Sequence, residues 1–120
     1  MKADIRERSF EFALLIIELY KFLIHTHEFI MSKQLLKAGT SVGANVEEAQ
    51  AGQSKKDFIA KMAISSKESR ETKYWLRLLD RSGYLNGFKK KEFIINEIEE
   101  IILIITKIVK TSMEKNKSKK

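Results

Sequence analysis

The 120-residue chain contains no cysteine and no proline. The first absence excludes disulfide staples, thiolate zinc sites and a cysteine nucleophile. The second fits long uninterrupted helices, because proline breaks a helix and punctuates most other architectures. Long hydrophobic runs are missing too. The longest, Phe12 to Ile17, is far below the roughly 18 residues that suggest a membrane span, so no membrane partner is expected. The amino terminus carries charges of both signs and leads directly into a helical pattern, unlike a secretory signal, and the chain reads as cytoplasmic. What is present is 43% apolar residues, too many for a disordered chain and enough for one core.

The net charge of +7 points to an anionic partner without naming one. Its distribution says more. Residues 1–60 are neutral, residues 61–85 carry +3, residues 86–109 cancel, and Lys110–Lys120 carry +4. The terminal lysines read as a solvated end, whereas the +3 of the third segment is patterned.

Four helices are expected, near 4–26, 30–52, 54–82 and 88–114. The signals at their ends are local. Gly52 and Ser54 separate the second from the third, with Ser54 as a cap and Asp57 in the capping-box position. Gly83 suits a left-handed helix end, and Asn86-Gly87 marks a turn. His25-Thr26-His27 interrupts the first apolar pattern. Ile94, Ile98, Ile101, Ile105 and Ile108 follow the 4-3-4-3 spacing of a bundle seam, with Ile95, Ile102 and Val109 as a second seam beside it. The first helix is apolar over most of its circumference. A lone bundle needs one apolar stripe of about 100° per helix, so two helices with more than one apolar face predict self-association. The domain reading is a bundle over residues 1–114 and a basic disordered tail over 115–120.

The second and third helices have polar residues in phase with their core positions. Leu35, Gly39, Val42, Val46 and Ala49 form an inward stripe whose small members, with Gly43, let another helix approach closely. Beside it run Ser41, Asn45 and Glu48. On the third helix, Ser65, Ser69 and Thr72 interrupt one stripe, and Glu68 and Glu71 another. Buried polar groups need partners, so one reading is a hydrogen-bond network among Ser41, Asn45, Glu48, Glu71 and Thr72 that sets helix register. The other is an active or metal site inside the bundle. Against it, the only histidines, His25 and His27, stand near a helix end, and neither follows a glutamate by the three residues a di-iron carboxylate site requires. No nucleophile or phosphate-binding loop accompanies Glu48 or Glu71. No catalytic residue, metal or cofactor is assigned.

The run from Gln34 to Ala49, with Ser41-Val42-Gly43-Ala44-Asn45-Val46-Glu47-Glu48 at its centre, resembles the signature of the bacterial four-helix-bundle proteins encoded in intervening sequences of 23S rRNA genes. The likeness continues through Ser54–Ile59, Lys67-Glu68, Arg70–Leu79 and Gly83-Tyr84-Leu85, and spans roughly residues 10–110. Two departures, Gly43 and Ala49, bear little on the fold. The resemblance implies an all-α, antiparallel up-down four-helix bundle that assembles into a barrel-like homo-oligomer, a homopentamer. A similar bundle occurs in the accessory proteins of diversity-generating retroelements, which bind nucleic acid and a reverse transcriptase. Ser41, Asn45, Glu48 and Glu71 carry over as signature residues without a catalytic role.

Lys67, Arg70, Tyr74, Arg77 and Arg81 recur at 3-4-3-4 along the third helix, with Lys73 adjacent. Arginines in that array can hold phosphates, and Tyr74 can stack on a base. The alternative is a solvated face with intrahelical pairs such as Lys67–Glu71. The leading expectation is a non-enzymatic oligomer that binds RNA or DNA through this face and the lysine tail. A pure protein-interaction scaffold, whose charge serves only solubility, comes second; the resemblance also implies a reverse transcriptase or another protein as a partner. An enzyme using the carboxylates of the polar centre is the weakest alternative.

Overall fold

Every break expected from the sequence is a break in the path of the chain. The computed structural model describes residues 4–118. Over them the chain forms α1 (Ile5–His25), α2 (Met31–Gln50), α3 (Lys55–Arg81) and α4 (Lys91–Ser118), and no strand occurs among the described residues. Asp4 caps α1 by accepting the Glu7 N–H at 3.0 Å, and Ser54 caps α3 by accepting the Asp57 N–H at 3.1 Å. These bonds satisfy amides that the first helical turn leaves without partners. Between α3 and α4, Gly83 and Gly87 take φ of +88° and +89°, a region that side chains other than glycine's disfavour.

Two boundaries differ from the sequence reading. α4 begins at Lys91 rather than near residue 88, because Phe88 packs as a buried loop residue against Phe22, ring centroids 5.4 Å apart. At the other end α4 continues through residues 115–118, where a disordered tail is expected. Lys, Glu, Asn and Ser do not stop a helix as Gly or Pro would. Residues 1–3 and 119–120 lie outside the described residues.

α1 packs on α2 and α4, and α3 packs on α2 and α4, so α1 and α3 occupy opposite corners of the bundle. Cross-helix pairs give the register. Arg8 meets Glu97 while Lys90 meets Glu18, and Lys73 meets Glu99 while Lys91 meets Asp80. The Arg8–Glu97 pair is bidentate at 2.7 and 3.0 Å and half-buried, and the hydrogen bond to Glu97 raises the Arg8 pKa further. The isoleucine seam forms the α4 side of the core, with Ile94, Ile98, Ile101 and Ile105 buried against Phe12, Ile16, Leu19, Leu35, Val42 and Leu76. The close approach that Gly39 and Gly43 predict is made to α1: a Cβ on Gly39 would lie 2.7 Å from Ile16, and one on Gly43 would lie 3.0 Å from the Ser9 carbonyl oxygen.

Not all apolar side chains are covered. On α1, Phe10 and Leu14 are 58% and 48% exposed, and on α4, Phe93 and Leu103 are 59% and 64% exposed. Leu14, Leu15 and Phe93 line a groove of about 450 Å³ between α1 and α4, edged by Glu11, Glu18 and Lys90. No helix among the described residues is long and apolar enough to cross a membrane.

Candidate nucleic-acid interface

The inward stripe of α3 decides what its outward face presents. Met62, Ser65, Ser69, Thr72, Leu76 and Leu79 are buried, which turns Lys67, Arg70, Tyr74, Arg77 and Arg81 to the surface, where all five are exposed. Along an α-helix, Lys67 to Arg81 covers roughly 21 Å. Five other basic side chains are engaged: Arg6 with Glu47, Arg8 with Glu97, Lys73 with Glu99, Lys90 with Glu18 and Lys91 with Asp80. Asp80 also raises the Lys91 pKa through its hydrogen bond and its charge. The four cations of the stripe have no ion-pair partner among the described residues.

Two sequence expectations at this site change. Lys73, expected beside the stripe, is drawn away to Glu99 on α4 at 2.8 Å. The intrahelical Lys67–Glu71 pair does not form, because Glu71 Oε2 accepts the Trp75 indole N–H at 3.1 Å. Trp75 in turn meets Tyr74 edge to face, ring centroids 5.2 Å apart and planes at 74°, while Tyr74 stays 54% exposed. One addition was missed from sequence. Arg70 shares a groove of about 310 Å³ with Lys110 of α4, also lined by Ser66, Thr106 and Met113. The link depends on the α3–α4 register, which no spacing within either helix reports.

The polar residues of α2 and α3 do not join into the expected network. Ser41 Oγ donates to the Lys37 carbonyl at 2.6 Å, Asn45 Nδ2 to the Ser41 carbonyl at 2.9 Å, and Thr72 Oγ1 to the Glu68 carbonyl at 2.7 Å. Each is satisfied on its own helix, as short polar side chains commonly are. Glu48 is exposed. The contact across the helices falls elsewhere, from Ser65 Oγ to the Val42 carbonyl at 2.8 Å. Among the described residues, no three His, Asp or Glu side chains gather as a metal site would require.

Four helices with this signature on α2 make the chain a member of a class of small helical-bundle proteins. The family described as 23S rRNA-intervening sequence protein matches residues 1–107, and the chain belongs to it. The chain is also similar to a protein of unknown function from the S23 ribosomal protein family of Bacteroides thetaiotaomicron VPI-5482, whose crystal structure was determined at 1.70 Å. The two are 46% identical with a TM-score of 0.84, over 89% of this chain and 99% of that one. None of the curated proteins matches the chain.

Proposed function

We propose that this protein is a non-enzymatic, cytoplasmic, antiparallel up-down four-helix bundle that binds RNA or other nucleic acid and assembles into a barrel-like homo-oligomer. Five copies is the number that the family resemblance implies. The observation that carries the nucleic-acid reading is the alignment of four exposed cations on one face of α3. Lys67, Arg70, Arg77 and Arg81 stand exposed in one row, without carboxylate partners, around an exposed tyrosine. Unpaired cations in a row release counterions from a polyphosphate, which makes binding strong at low salt and steeply salt-dependent. A cyclic assembly repeats the stripe, so modest patches sum into one avid surface. Lys110 beside Arg70 extends that surface toward the basic end of α4.

A salt series with a labelled RNA tests this reading. The expected result is a log–log slope of several units that falls by about one for each of Arg70, Arg77 and Arg81 changed to alanine. No binding at low salt overturns it. A second reading rests on the uncovered apolar side chains of α1 and α4: the groove lined by Leu14 and Phe93 supports a scaffold that holds other proteins, or further copies of itself, with charge serving only solubility.

A further inference from the structure

We infer that the ligand of the α3 face is single-stranded nucleic acid with unstacked bases, held on the ring of Tyr74. This rests on the nucleic-acid reading above and narrows it. Three observations carry it. First, Tyr74 sits between Arg70 and Arg77 and is more than half exposed, so its ring is open to a flat ligand while cations stand on both sides along the helix. Second, the ring is braced. Glu71 accepts the Trp75 indole N–H at 3.1 Å, and Trp75 contacts Tyr74 in T-shaped geometry at 5.2 Å. A side chain already held in place loses little entropy when a base stacks on it. Third, α3 is flanked on both sides by α2 and α4. Its stripe therefore lies along an outer corner of the bundle, where phosphates and a stacked base can reach it without the helix entering a groove.

A duplex offers this face phosphates and base edges, because its base faces are already covered by their neighbours. A single strand offers phosphates to the arginines and a free base face to the tyrosine, and such stacking tolerates any sequence. Trp75 is a positioning residue here: it touches Tyr74, and Tyr74 meets the base.

Trp75 is the only tryptophan in the chain, and its contact with Tyr74 makes its emission a reporter of what lies on that ring. The full-length protein is titrated with oligo-U, oligo-dT and a duplex of equal length, following anisotropy of the labelled nucleic acid and Trp75 emission together. Both single strands should bind more tightly than the duplex and change the emission, and the two arms separate an RNA from a DNA preference. Tyr74→Ala should weaken single-strand binding by about tenfold without changing the salt slope, and Tyr74→Phe should keep it. Arg77→Ala should lower the slope instead. If the duplex binds as well as the single strands and Tyr74→Ala has no effect, the single-strand inference falls while the nucleic-acid reading stands. If none of the three binds at low salt, both fall.

Discussion

Ser65 Oγ donates to the main-chain carbonyl of Val42 at 2.8 Å, joining α3 to α2 between two fully buried residues. Ser41 and Thr72, which the sequence places in the same polar centre, bond backward to their own helices. Ser65 instead reaches across. It therefore ties the register of α2 against α3, and with it the direction in which the Tyr74 stripe faces. Val42 lies inside α2, so its carbonyl also takes a helical hydrogen bond and is not orphaned when the hydroxyl is removed. Ser65→Ala should cost about 1 kcal/mol, and Ser65→Val, which forces methyl groups into a filled site, roughly 1–3 kcal/mol. Urea unfolding of the two variants tests this. An alanine variant as stable as the parent would show that the bond contributes nothing.

Glu28 does for α2 what Asp4 and Ser54 do for α1 and α3, but with a buried carboxylate. Its side chain accepts the backbone N–H groups of Ile30, Met31 and Ser32 at 3.3, 3.0 and 2.6 Å, and its own carbonyl receives the Ser32 hydroxyl at 2.8 Å. Burial pushes the carboxyl pKa up, but the three amides, helped by the Ser32 hydroxyl, outweigh it and hold it below the usual glutamate range. The folded-state pKa is therefore lower than the unfolded one. The stabilisation is present above about pH 4.3, where the unfolded chain is already ionised, and is lost as pH falls through the folded value. At pH 7, Glu28→Gln should lower stability by about 1 kcal/mol and Glu28→Ala by about 1–2 kcal/mol. The gap between parent and Glu28→Gln should narrow as unfolding is followed from pH 7 down to pH 3. A gap that stays constant to pH 3 contradicts the cap.

The fold was legible where a single helix states its own environment. Ile94, Ile98, Ile101 and Ile105 announce a buried seam by spacing alone and are buried. Ser54 and Asp57 announce a helix start, and Ser54 accepts the Asp57 amide. The two-sided greasiness of α1 is visible as Phe10 and Leu14 left outside the core. What stayed hidden depends on two helices at once or on a loop's exact path. Glu28 falls in the connection between the expected helices 4–26 and 30–52, where no spacing marks it as a cap. Its carboxylate reaches the α2 amides from a turn in which His27 takes a φ of +69°. At the candidate site, the 3-4-3-4 spacing placed Lys67, Arg70, Tyr74, Arg77 and Arg81 on one face. Spacing did not reveal that Lys73 is spoken for by Glu99, or that Arg70 lies beside Lys110. Both follow from the α3–α4 register.

The contact of Gly39 with Ile16 is the tightest test of how α1 and α2 fit. A methyl group on Gly39 would meet three carbons of the Ile16 side chain between 2.7 and 2.9 Å, and Ile16 is fully buried with no solvent to retreat into. Alanine in place of a mid-helix glycine gains about 1 kcal/mol in helix propensity, while overpacking a filled core costs roughly 1–3 kcal/mol. The clash should win, so Gly39→Ala should lower the unfolding midpoint. Ile16→Val alone should cost about 0.5–1.5 kcal/mol. In the double variant the smaller side chain leaves part of the space the new methyl needs, and the two losses should sum to more than the loss observed. A double-mutant cycle measured by urea denaturation reads this directly. A coupling energy near zero, or a Gly39→Ala variant more stable than the parent, would mean that α1 and α2 can move apart at Gly39 at no cost.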